Sequence, residues 1–173
     1  MEKRNSNQFA STALHSGSPI QATSVQANGK QFFIGKPGSA YCPEGVSGLE
    51  CSNYGNQTFF SYSLSTSGLG LATSLPGGQL VYISSQGALS YTTPHSGFIP
   101  SDSYTSPFQF TAQSDSGTVG KLNFENEDFF ACPVQDEAGV YQIFAAAVAG
   151  PCDNCSGIAI GTTSVHGKTA YQY

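Results

Sequence analysis

"QLVYIS" at 79–84 and "ALSYTT" at 88–93, separated only by Ser85-Gln86-Gly87, decide the fold class. In the first run Leu80 and Tyr82 fall on one side of an extended chain, and Val81 and Ile83 on the other. A period of two in β-branched and aromatic residues, closed by a glycine, reads as strand and turn. Working outward, "PFQFTA" (107–112) sets Phe108 and Phe110 against Gln109. Comparable runs lie at 20–27, 30–35, 57–64, 69–75, 119–125, 128–133, 140–147, 157–162 and 168–173. Asn28-Gly29 predicts a hairpin between the first two of these, because both residues tolerate positive φ. Short strands at such spacing imply an all-β protein, a single antiparallel β-sandwich or barrel. A faint Gly-x-Leu-x-Tyr/Phe echo at 78–82, 87–91 and 120–124 makes a β-trefoil the alternative. Helix is expected only as one short turn in the alanine run of 136–150. Residues 1–18 are polar and aperiodic, which predicts a flexible arm before a single domain over 19–173.

A chain of 173 residues is long enough for one well-buried domain. Charged residues make up only 10%, with 20 Gly and 9 Pro, a composition that suits an extracellular β-protein. Twelve Phe and nine Tyr supply the apolar area that a disordered chain lacks. Beyond Arg4 the only basic residues apart from histidine are Lys30, Lys36, Lys121 and Lys168, in a chain of net charge −5. Nucleic acid and anionic membranes need clustered cations, so neither is expected as a partner. No stretch approaches the ~20 apolar residues of a bilayer-spanning helix, so membrane insertion is not expected. Met1-Glu2-Lys3-Arg4 has no apolar leader. Its dibasic pair is nevertheless of the kind that secretory proteases trim, and an upstream signal replaced by Met1 is the expectation.

Five cysteines raise three readings: metal, redox centre or disulfides. Cys152 and Cys155 stand in a C-x-x-C, but Cys42 and Cys51 are nine positions apart, Cys132 is single, and His15, His95 and His166 are scattered. Tetrahedral zinc wants two short-spaced pairs, so no metal is expected. A redox C-x-x-C needs a following helix, and "SGIAIGTTSV" (156–165) reads as strand. Structural disulfides remain. Cys42–Cys51 would staple the loop "CPEGVSGLEC", and Cys132 would pair with Cys155 or Cys152. The fifth cysteine implies a free thiol or an intermolecular bond, and hence a dimer as one outcome. Asn56 ("NQT") and Asn154 ("NCS") are N-glycosylation acceptors, and with the disulfides they favour export.

No catalytic constellation emerges. Glu125, Glu127 and Asp128 in "ENED" could serve glycoside hydrolysis or bind calcium, but the run lies between two strands, where a turn needs solvated residues. His95 neighbours Ser96, yet adjacent strand residues face opposite sides, and no G-x-S-x-G occurs. Neither enzyme activity nor a cofactor is expected. Tyr41, Tyr54, Tyr91, Tyr104, Tyr171 and Tyr173 could stack on sugars, which makes a lectin-like wall-polysaccharide binder the alternative function. Tyrosine is equally ordinary sheet material.

"GKQFFIGKPGSAYCP" (29–43), "PGGQLVYISSQGALSYTTPHS" (76–96), "LNFENEDFFACPV" (122–134), "YQIFAA" (141–146) and "NCSGIAI" (154–160) together resemble the secreted fungal cell-wall proteins of the phialide-development, IgE-binding type. The resemblance implies secretion, a place in the fungal wall or host apoplast, and no established catalytic residues. It supports pairing Cys132 with Cys155, which leaves Cys152 as the free thiol. Cys152 and the N-terminal arm depart from the family pattern. Similar proteins of plant-pathogenic fungi include elicitors of host defence and cell death. The expected partner is therefore a host plant cell-surface or apoplastic component, or else a fungal wall polysaccharide.

Overall fold

A computed structural model describes residues 7–173. Lys3-Arg4 lies outside the described residues. In chain order the strands are β1 (Gln8–Leu14), β2 (Thr23–Ser24), β3 (Gln26–Asn28), β4 (Gln31–Ile34), β5 (Phe60–Ser63), β6 (Gly68–Leu71) and β7 (Gln79–Ile83). They continue with β8 (Leu89–Tyr91), β9 (Phe108–Thr111), β10 (Gly120–Phe124), β11 (Phe129–Pro133), β12 (Tyr141–Ala145) and β13 (Ser156–Ser164). One helical turn, α1 (Ala146–Ala149), follows β12 in the alanine run.

The architecture is all-β and antiparallel. The pairings run β1–β5–β6–β7–β8–β4–β12–β11–β13 and return from β13 to β1, so the sheet closes on itself. Closure is made by a long ladder from Phe9↔Ser164 to Leu14↔Ala159. The other edge of β13 is shared: Leu122 of β10 faces Ile160, and Phe129 of β11 faces Ile158. Between β10 and β11 the chain steps out at Glu125 and Asn126, both left-handed (φ 49° and 61°). The segments of the glycine echo fall on β7, β8 and β10; β7 and β8 pair with each other, whereas β10 pairs with β9 and β13.

The opening stretch forms β7 and β8, with Val81 opposite Tyr91 and Ile83 opposite Leu89. Gly87 closes the turn at φ 93°, and a Cβ there would stand 2.7 Å from the backbone nitrogen of Ala149. Left-handed backbone and close packing both demand glycine. The predicted hairpin at Asn28-Gly29 also forms, one residue displaced. Gly29 (φ 57°) and Lys30 (φ 73°) are its central pair, because Asn28 pairs with Gln31 inside the ladder.

Two expectations need correction. Residues 8–14, assigned to a flexible arm, form β1, with Phe9, Ser11 and Ala13 buried and the residues between them half-buried. The strand period is present, but it is carried by small and hydroxyl residues that hydropathy alone passes over. Residues 168–173 form no ladder. They make isolated bridges, Thr73↔Ala170 and Tyr41↔Gln172.

The core is aromatic. Phe9, Phe32, Phe60, Phe108, Phe124 and Phe129 are each under 2% exposed. Rings of β9, β1, β5 and β4 stack in sequence: Phe110 on Phe9 (4.7 Å between centroids), Phe9 on Phe60 (5.2 Å) and Phe60 on Phe32 (5.3 Å). Phe32 then meets Tyr91 of β8 edge-on at 5.3 Å. Such contacts add ~0.5–1.5 kcal/mol each beyond area burial, and here they join strands remote in sequence. The exposed ion pairs Lys36–Glu137 and Lys121–Asp128, both 3.1 Å, add little by comparison.

Candidate functional site

Of the six tyrosines with stacking potential, the structure gathers three. Tyr41, Tyr54 and Tyr171 line one cleft of about 280 Å³ together with Asn56, beside the Cys42–Cys51 bridge. Tyr54 and Tyr171 meet edge-on at 6.0 Å, and Tyr41 is 57% exposed. Tyr91 is buried in the core, and Tyr104 packs edge-on against Phe124. Tyr173 is buried: its hydroxyl donates to Gln57 O (2.6 Å) and accepts from Phe59 N (3.0 Å), while burial pushes its pKa well above the usual phenol value.

The cleft is rigidly built. Tyr41 N donates to Gln172 O (2.8 Å), Tyr54 N to Cys51 O (3.0 Å) and Leu75 N to Tyr171 O (3.1 Å). The Asn56 carbonyl packs so closely on Gly38 that a Cβ there would stand 2.1 Å from its oxygen. Thr58 is buried, with Oγ1 accepting from Ala27 N (2.8 Å). No local signal in the sequence pairs Gly38 with Asn56. That contact exists only once the chain has folded.

Sulfur forms the second cluster. Cys132 and Cys155 are bridged (S–S 2.03 Å) and extend the β11–β13 ladder by one step beyond Ala131↔Ser156. Cys152 is exposed and unbridged, and its thiol donates to Asn154 Oδ1 (3.2 Å). The three sulfur atoms lie within 4.8 Å of one another. A thiolate at Cys152 could therefore attack the neighbouring bridge, forming one S–S bond as it breaks another with no net oxidation. Cys155 leads straight into β13, so no helix dipole bears on this pair.

The acidic run forms a turn and a bracket. Asp128 accepts from Asn123 Nδ2 (2.9 Å) and pairs with Lys121, while Asn126 N donates to Gln109 Oε1 (2.9 Å). His95 sits left-handed (φ 61°) in an exposed turn, and the neighbouring Ser96 Oγ accepts from Phe98 N (3.2 Å). His15 Nδ1 contacts Gly157 O (2.8 Å), and His166 is exposed.

Leu80 stands 50% exposed on the outer side of β5–β7, where Ser61 faces Gly70 and Gly70 faces Leu80. Two shallow depressions meet at this side chain. One, of about 310 Å³, is floored by Ser61, Ser63, Gly68 and Gly70. The other, of about 370 Å³, is lined by Pro76, Thr92, His95 and Ser96.

Two bridges, a closed antiparallel sheet and a surface poor in charge define a disulfide-braced β-protein of extracellular type. The family of PhiA-like secreted proteins matches residues 9–173, and the chain belongs to that family. It is 35% identical over 136 residues to an uncharacterized secreted protein of Arthroderma benhamiae, a match covering 78% of this chain and 66% of that protein. No solved structure matches the chain. The protein is therefore a secreted fungal protein of the PhiA-like family.

Proposed function

We propose that the protein acts without catalysis, as an elicitor in the fungal wall or host apoplast. A host plant cell-surface or apoplastic component recognises its outer face, and defence or cell death follows. The observation that carries this reading is the Leu80 face. A half-exposed leucine rises from glycine and serine neighbours on a strand that is hydrogen-bonded on both edges. An apolar side chain on a rigid support loses little entropy on contact, and burying it against a partner gains the transfer free energy of its exposed apolar area. Phe98, 75% exposed, follows Gly97 at the rim of the second depression and widens the apolar area.

Infiltration of purified protein into leaves tests the proposal, with reduced and alkylated protein as control. Native protein is expected to cause a response that Leu80→Glu weakens at least tenfold in dose, with an unchanged circular dichroism spectrum. A native protein silent at micromolar dose would remove the elicitor reading, and an undiminished Leu80→Glu would remove this face from it.

A further inference from the structure

We propose that Asn56 carries an N-linked glycan whose first N-acetylglucosamine lies in the tyrosine cleft, and that Asn154, in the second acceptor sequence, is not so used. This inference rests on secretion and the cleft alone and is independent of the elicitor reading.

Asn56-Gln57-Thr58 is an acceptor sequence in an exported chain. Asn56 is exposed at the lip of the cleft, so a sugar on its Nδ2 starts within reach of the rings. Tyr54 precedes it by two residues in extended backbone (φ −116°, ψ 142°), and both residues line the same cleft. A pyranose ring presents a face of C–H hydrogens with partial positive charge, which the negative face of an aromatic ring attracts. The tyrosine hydroxyls offer donors and acceptors to the N-acetyl and hydroxyl groups around that face. A 280 Å³ cleft open to solvent suits one sugar residue, with the remainder of the glycan leaving into water.

Pre-organisation strengthens the case. Asn56 is held against Gly38, Tyr54 against the end of the bridged loop, and Tyr41 against Gln172, so docking the sugar orders little that is not already ordered. The buried Thr58 hydroxyl is engaged with Ala27 N, which requires sugar transfer before this segment folds.

Asn154 has a different setting. Its carboxamide oxygen accepts from the Cys152 thiol, and the middle residue of its acceptor sequence, Cys155, is bridged to Cys132. Closing that bridge withdraws the segment from the transferase, and Asn154 does not line the cleft that holds the three tyrosines.

The test is expression of the full chain in a secretory yeast, followed by peptide mass mapping with and without enzymatic glycan release. A single glycan is expected at Asn56, abolished by Asn56→Gln and retained in Asn154→Gln. Protein trimmed to one N-acetylglucosamine should keep the melting temperature of the full glycoprotein. Complete removal should lower it by about 2–4 °C, and in Tyr54→Ala that difference should vanish. The acetyl methyl proton of the trimmed sugar should show an upfield ring-current shift in the wild-type protein, a reading independent of how any variant folds. An unoccupied Asn56 overturns the proposal. So does an occupied Asn56 with neither the ring-current shift nor a Tyr54-dependent stabilisation, and a glycan on Asn154 overturns the selectivity.

Discussion

Tyr173 shows how much one side chain fixes. Its hydroxyl joins Gln57 O and Phe59 N, and its backbone is held by Gln79, whose Nε2 donates to Tyr173 O (2.8 Å) and whose Oε1 accepts from Tyr173 N (2.8 Å). Burial raises the phenol pKa above its ordinary value of 10.0. The unfolded chain therefore loses this proton at lower pH than the folded one. The stabilisation is fully present below pH 10.0 and falls as pH rises beyond it. Thermal unfolding should accordingly show a steeper alkaline decline in the wild type than in Tyr173→Phe. At neutral pH that variant should cost about 1–3 kcal/mol, since it removes two hydrogen bonds, to the part-buried Gln57 carbonyl and Phe59 N–H. Parallel alkaline slopes would show that another group governs this range.

β1 is the element that decides the sheet. It joins β13 on one edge and both β2 and β5 on the other, and Phe9 lies between Phe60 and Phe110 in the stack. Phe9→Ala empties the middle of that stack. A loss of about 3–5 kcal/mol is expected from equilibrium denaturation, and a loss below one would mean that β1 is dispensable. Element types were broadly legible in the sequence, since most of the period-two runs became strands. Boundaries were not, as the displaced hairpin at Gly29-Lys30 and the 168–173 segment, which makes only isolated bridges, show. β1 was hidden because Ser11, Thr12 and Ala13 can serve a sheet or a solvated tail equally well. Only the edge of β13 tells them apart.

At the scale of the whole molecule, closure sets stability. Strands within the ring are bonded on both edges, whereas β2 pairs with β1 by one edge and β9 pairs only with β10, which lies outside the ring on β13. Native-state hydrogen exchange should find β1, β5, β11 and β13 opening only with global unfolding, and β2 and β9 opening earlier at lower free energy. Uniform protection across all strands would contradict the division between ring and flank. The candidate site followed the same rule of legibility. Its acceptor sequence at Asn56 and the loop from Cys42 to Cys51 could be read locally. The gathering of Tyr41, Tyr54 and Tyr171 could not, because the last is more than a hundred positions from the others.

By itself the sequence determined the all-β class, the export-suited chemistry and the cysteines available for bridging, because period, composition and spacing are properties of neighbouring residues. Tertiary structure alone decided that the sheet closes through β1 and β13, that Gly38 packs on Asn56, and which tyrosines share a cleft. Those facts depend on contacts between residues far apart in the chain, and such contacts are selected by the packing of the aromatic core as a whole.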